Sequence, residues 1–266
     1  MNIEKLTKEV ITIAKNAGDY LKKERLDFRR EDVIEKNKYD FVSHIDKNTE
    51  IMLVKQLSGL LPSAGFITEE GQGEYNNEEY CWVIDPLDGT TNYIRDFAPY
   101  CVSIALCKGN DLLIGVVYEV CRDECYCARK GGGAYLNGKR LSTLTNPEIE
   151  KAFIGIGLPY SFGKYMPVAE TIIPRFYGSC TGLRLTGSAA TNMCYVAAGR
   201  YDLWFEAYIK PWDFAAGALI VTEAGGVISG FDNSPDILSS HHIIASSNKS
   251  IHQKALDFLA DYKGVI

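Results

Sequence analysis

The sequence predicts a layered α/β protein with a largely antiparallel first half and a more mixed second half, and three observations carry that expectation. Apolar residues recur at helical spacing near the N-terminus. Short β-branched and aromatic runs separated by tight turns fill residues 66–141, and strand-like and helix-like segments alternate after about residue 150. Ile3, Leu6, Val10, Ile13, Ala17 and Leu21 follow helical spacing, as do Ile45, Met52, Leu53, Leu57 and Leu60, so two helices should precede the first strand. Strands are expected at Phe66–Thr68, Cys81–Ile84, Val102–Cys107, Leu112–Val120, Glu124–Arg129 and Ala134–Leu136, with a hairpin turn at Asn137-Gly138. Short turns between these runs favour antiparallel pairing. Strands at Ala152–Gly157, Tyr201–Phe205 and Gly226–Ile228 then alternate with helices over about 188–199 and 212–224, and a last helix spans about 249–260.

Composition sets broad limits. A chain of 266 residues can bury a sizeable core, and its 46% apolar and 23% charged content is ordinary for a soluble globular protein. A net charge of −6 argues against general binding to nucleic acid or acidic membrane. No stretch approaches a membrane span, and Met1-Asn2-Ile3-Glu4-Lys5 opens no signal peptide, so a cytoplasmic location is expected. The eight cysteines lie mostly in apolar strand-like runs without a CxxC pair and read as free thiols, a zinc or disulfide pair at Cys125 and Cys127 being the alternative. Adjacent His241 and His242 would point to opposite faces of a strand, which suits no metal.

The most informative stretch is Asp85-Pro86-Leu87-Asp88-Gly89-Thr90-Thr91-Asn92, which leaves the apolar run Cys81-Trp82-Val83-Ile84. Pro and Gly should end the strand there and set two carboxylates on a stiff turn, as a hard divalent cation requires. Gly89 lets backbone approach an anion closely, and the first amides of a short helix would point at it. A bare pair of acids in a turn is more often a solvated turn. Three further segments change that balance. Phe66-Ile67-Thr68-Glu69-Glu70-Gly71 ends a strand in acids, Lys210-Pro211-Trp212-Asp213 opens a helix, and Leu185-Thr186-Gly187-Ser188-Ala189-Ala190 opens another. Each also has a plain structural meaning as a turn, a favourable acid at a helix start, or a Ser N-cap.

Taken together and in this order, the segments resemble the inositol monophosphatase family within the lithium-sensitive, Mg²⁺-dependent sugar phosphatase superfamily. Its first signature reads here as Trp82 to Tyr93 and its C-terminal signature as Trp212-Asp213-Phe214-Ala215-Ala216-Gly217 through Gly226. The resemblance extends from Lys36, Asp40-Phe41-Val42-Ser43 and Asp46 to Asn248, which implies one domain over 1–266 with halves of about 1–145 and 146–266. It implies an αβαβα sandwich with the site in the cleft between the halves. It also implies Mg²⁺, two to three ions: one held by Glu69, Asp85 and the Leu87 carbonyl, and a second by Asp85, Asp88 and Asp213.

Glu69 and Thr90 resemble the family's water-activating pair, with Asp46 accepting from the Thr90 hydroxyl, and the nucleophile would be a metal-activated water. Gly89 and Thr90 would meet phosphate through backbone amides. Asp88, Gly187, Ser188, Ala189, Glu206 and Asp213 match positions that contact the polyol. Arg95 and Asp96 depart from the family at the expected pocket mouth, and Lys36 matches a loop lysine.

The expected function is Mg²⁺-dependent hydrolysis of the phosphate monoester myo-inositol monophosphate by a homodimer. Fructose 1,6-bisphosphate, 3′-phosphoadenosine 5′-phosphate, histidinol phosphate or a phosphoinositol lipid headgroup are the substrate alternatives, and docking to RNA or the transcription machinery is the alternative of another class.

Overall fold

The computed structural model describes residues 1–29, 33–37, 40–144, 148–158, 170 and 173–260, with backbone alone for 33–37 and 40–42. Helix α1 (Ile3–Asp27) starts at Asn2, whose side chain accepts from the Lys5 amide, and buries Leu6, Val10, Ile13, Ala17 and Leu21. A hairpin of β1 (Val33–Asn37) and β2 (Asp40–Ser43) leads into α2 (His44–Leu60). Ser43 and Asp46 cap α2 reciprocally, which fixes Asp46 at its first turn.

Helices α1 and α2 cover one face of a seven-stranded sheet. In spatial order it contains β3 (Ala64–Thr68), β4 (Tyr80–Asp88), β5 (Cys101–Lys108), β6 (Asp111–Glu119), β7 (Glu124–Arg129), β8 (Gly133–Leu136) and β9 (Lys139–Arg140). Only the β3–β4 pair is parallel; the others are antiparallel, as the short turns require. The short helix α3 (Thr90–Arg95) follows β4 directly.

The second sheet runs β11 (Gly182–Arg184), β10 (Phe153–Gly157), β12 (Leu203–Ala207), β14 (His242–Ser246) and β13 (Val227–Ser229). It is mixed: β10 pairs in parallel with β11 and β12, while β14 is antiparallel to β12 and β13. Helices α4 (Ala189–Ala197) and α5 (Pro211–Glu223) lie between the two sheets, and α6 (Lys249–Leu259) covers the outer face of the second. The order of layers is therefore αβαβα, with an apolar core in each of the spaces between layers. Helix α5 is apolar on every side because both sheets face it. A Cβ at Gly115 of β6 would come within 2.5 Å of the Ala216 carbonyl, so glycine sets how closely sheet and helix approach.

Strand β4 does not stop at Pro86. It continues to Asp88 through a register shift, with Asp85 opposite Ser103 and Asp88 opposite Cys101, so the acids stand on a bulged strand end and not in the turn beyond it. Proline is tolerated there because a bulge suspends the regular ladder. Strands β1, β2, β9 and β11 were not expected, and β13 begins one residue later than predicted. All eight cysteines are free thiols, and His241 and His242 stack separately on Tyr208 and Phe231. Among the described residues no helix is long and apolar enough to cross a membrane.

Candidate active site

The ends of β3, β4 and β12 meet the starts of α3, α4 and α5 around a cleft of about 240 Å³. Glu69, Asp85, Leu87, Asp88, Gly89, Thr90, Gly187, Ser188, Ala189, Glu206 and Asp213 all line it. Glu69 and Asp213, 144 positions apart in the chain, thus share one cavity because the middle helices begin where β4 ends.

Local hydrogen bonds hold the three aspartates of the cleft. The Leu87 amide donates to Asp85 Oδ1 at 2.9 Å, tying the acid to the bulge. Asp88 reaches across to α4: Ser188 Oγ lies 2.6 Å from its Oδ2, and the amides of Ala190 and Ala189 donate to it at 2.8 and 3.2 Å. Ser188 is also the N-cap of α4, so its structural and site roles coincide. Asp213 Oδ2 accepts from the Lys210 amide at 2.6 Å at the start of α5, while Pro211 occupies the first turn.

Asp46 does not line the cleft. It is buried behind Thr90, accepting from the Ser43 amide and hydroxyl with Oδ2 and from Thr90 Oγ1 with Oδ1 at 3.2 Å. Thr90 Oγ1 also lies 3.0 Å from the Leu87 carbonyl, so its proton is directed inward and its lone pairs toward the cleft. Gly89 has φ +95°, and a Cβ there would sit 3.0 Å from the Pro99 carbonyl, which reserves the position for glycine.

The electrostatics are one-sided. Five carboxylates line the cleft, and no Lys, Arg or His does so among the described residues. Burial raises Asp85 well above the ordinary carboxylate range, and the charges of Glu69, Asp88 and Asp213 push it further. Burial likewise raises Asp88 and Asp213, opposed by their amide and hydroxyl partners. Glu206 is pushed up to about 8, first by burial and then by Asp88. Such a set is relieved by a divalent cation with a preference for oxygen ligands, and Glu69, Asp85, the Leu87 carbonyl, Asp88 and Asp213 are donors of that kind. As they stand, no three acidic, His or Cys side chains among the described residues close on a single point, so the match lies in donor chemistry and charge.

Several residues gain a place that the sequence did not reveal. Glu50 of α2 is fully buried and accepts the Glu70 and Gln72 amides at 2.8 and 2.7 Å, which fixes the turn carrying Glu69. Asn92 Nδ2 donates to the Pro99 and Thr186 carbonyls at 2.7 and 2.6 Å, joining the α3 loop to the segment before α4. Ile156, Gly157, Leu158, Leu185 and Ile209 add an apolar wall. A polar residue in the first turn of the short helix after Gly89 would have pointed to Asn92, whereas Glu50 resembles any helix-surface acid. Arg95 and Asp96 are exposed and absent from the cleft lining; Asp96 instead approaches Arg25 at 3.4 Å. The Lys36 side chain lies outside the described residues.

The family model of the inositol monophosphatase family matches residues 2–262. The chain belongs to this family. Among its relatives, "Nus factor SuhB" of Escherichia coli K12 is 36% identical over 245 residues, covering 91% of each chain. The solved structure of extragenic suppressor protein suhB from Bartonella henselae superposes with TM-score 0.90 at 31% identity, covering 97% of this chain and 99% of that one. The inositol monophosphate-bound staphylococcal IMPase-II superposes with TM-score 0.81 at 27% identity, covering 97% and 94%. The inositol monophosphatase fold thus accounts for the five layers.

Proposed function

We propose that the protein is a Mg²⁺-dependent phosphomonoesterase that hydrolyses myo-inositol monophosphate to myo-inositol and phosphate. The observation that carries this is the charge of the cleft. Five carboxylates and no Lys, Arg or His among the described lining residues would repel a phosphate unless cations stood between them, as they do in metal-assisted phosphoryl transfer. Two to three ions held by Glu69, Asp85, the Leu87 carbonyl, Asp88 and Asp213 would neutralise the phosphate and polarise its oxygens.

The chain's own groups handle the proton and the orientation. With its hydroxyl hydrogen directed inward, Thr90 Oγ1 offers a lone pair to the attacking water, and Glu69 accepts the proton that the water loses on attacking phosphorus; the ester P–O bond breaks, and the departing inositol oxygen takes a proton from solvent water to leave as the alcohol. The backbone at Gly89 and Thr90 meets the phosphate oxygens. Asp88, Gly187, Ser188, Ala189, Glu206 and Asp213 contact the leaving group, whose hydroxyls would donate to the carboxylates. Lithium sensitivity, a homodimer and a cytoplasmic location accompany the family assignment as expectations.

Phosphate release by the purified protein with Mg²⁺ should be strongest for inositol 1-phosphate in a panel with fructose 1,6-bisphosphate, adenosine 3′,5′-bisphosphate, histidinol phosphate and a phosphatidylinositol phosphate, and chelation should abolish it. Preference for another member would keep the chemistry and move the substrate. A second function is favoured by the name of the Escherichia coli relative, which is a Nus factor: docking to RNA or the transcription machinery. Phosphatase silence across the panel, together with co-purification with RNA polymerase, would establish that function in place of catalysis.

A further inference from the structure

Strand β10 reads Phe153-Ile154-Gly155-Ile156-Gly157, with glycine at alternate positions. Ile154 and Ile156 point into the outer core beside α6, so Gly155 and Gly157 leave the opposite face of the strand bare. The parallel neighbour β12 sets Trp204 beside Gly155 and Glu206 beside Gly157. Its side chains fold over that bare backbone. A Cβ at Gly155 would lie 2.8 Å from the Tyr201 ring and 3.0 Å from the Trp204 ring. A Cβ at Gly157 would lie 1.7 Å from Glu206 Oε2, 2.1 Å from its Cδ and 2.6 Å from its Cγ.

These distances are far below any real contact, and the carboxylate is in conflict at three successive atoms. Swinging only its far end would not relieve them. Nor is the glycine there for its backbone, since Gly157 lies outside the left-handed region, unlike Gly89 or Gly187. What the position requires is absence of volume. Both Gly157 and Glu206 line the cleft.

We propose that Gly157 is a positioning residue: its bare backbone is the seat on which the Glu206 carboxylate lies, and residue 157 thereby sets selectivity for hydroxylated leaving groups. The choice of inositol phosphate as probe rests on the phosphatase function proposed above; the placement of Glu206 does not.

The test compares wild type, G157A, E206A and G157A/E206A on inositol 1-phosphate and on 4-nitrophenyl phosphate, whose leaving group offers no ring hydroxyls, with crystal structures of wild type and G157A. G157A should lower kcat/KM for inositol 1-phosphate by about tenfold or more, the scale of one charged hydrogen bond, with much less loss on nitrophenyl phosphate. Added to E206A, it should cost almost nothing further, and the crystal structure should show the Glu206 carboxylate displaced.

Equal losses on both substrates, additivity with E206A, or an unmoved Glu206 would overturn the proposal. If G157A fails to fold, recovery of folding in G157A/E206A supports the clash and continued failure refutes it. G155A, which meets only aromatic rings, controls for loss of packing and should show no difference between substrates. If wild type releases phosphate from neither probe, the phosphatase function fails, and the position of Glu206 in G157A still decides the role of residue 157.

Discussion

The two walls of the cleft are built on opposite plans. On the β3–β4–α3 wall the acids are tied down, Asp85 by Leu87 and the Glu69 turn by Glu50, and Asp46, held by Ser43, backs Thr90 from behind. On the β10–β12 wall the one carboxylate, Glu206, lies on bare glycine, and Leu158 and Ile209 line the same cleft. The first plan fixes charges at set positions, which suits ion binding and reaction geometry. The second shapes a space, which suits discrimination among leaving groups. The contrast predicts that damage to the first wall affects every substrate alike, while damage to the second depends on the substrate.

The largest effect should come from Asp85→Asn, which removes the acid at the centre of the charged cluster. Turnover should fall on the order of 10³-fold or more, beyond the loss of a single oxyanion-type contact, and equally for inositol 1-phosphate and nitrophenyl phosphate. A substrate-dependent loss would break the division between walls.

Acid should next weaken the second sheet selectively. His252 lies buried between Ser229 and Ser246, which approach its Nε2 and Nδ1 at 2.9 and 3.0 Å, and burial lowers it to about 4. The unfolded chain then binds the extra proton first. The contribution of His252 to stability is complete above the ordinary imidazole range near 6.5 and is lost as pH falls toward 4, by about 3 kcal/mol. Denaturant titrations from pH 7 to 4 should show this loss in wild type and a flatter profile in His252→Gln; identical slopes would refute it.

Glu50→Ala comes third. Freed of its two amide bonds, the Glu69 turn should bind Mg²⁺ about 10–100-fold more weakly, the usual scale for a residue that orients metal ligands. Magnesium titration of activity measures this, and an unchanged midpoint would remove Glu50 from the first wall. The smallest effect is expected from Asn92→Ala, which strips the Pro99 and Thr186 carbonyls of one donor at the junction of the walls. It should cost about 1–2 kcal/mol of stability by denaturant titration, with KM for inositol 1-phosphate rising more than for nitrophenyl phosphate. Equal KM changes would place Asn92 wholly in the first wall.

The same contrast explains what the sequence disclosed. Asp85, Asp88 and Asp213 stand in compact strings where proline, glycine and acid coincide, because ion binding demands particular residue types at short spacing. Glu50 and Gly157 act through backbone amides and through missing volume, and neither leaves a local pattern. Strand β11, only three residues long and opening with Gly182, and the two-residue polar β9 carry too little periodicity to be found. The extension of β4 through Pro86 was hidden because a bulge reverses the usual meaning of proline. The layers were legible where helices bury one face, as in α1, and so was the mixed character of the second half; which of its strands pair in parallel was not, because β10 and its parallel partners are far apart in sequence.

Asp88 grows from the first sheet, yet its carboxylate is held by Ser188, Ala189 and Ala190 at the start of α4. The two halves of the chain are therefore poor candidates for exchange with those of a relative. A crossover near residue 146 would bring in a foreign α4 start, and a chimera would keep its acid cluster in register only if that start presented the same hydroxyl and amides to Asp88. Shuffled libraries of this family should yield active recombinants preferentially when β4 and the α4 start come from one parent.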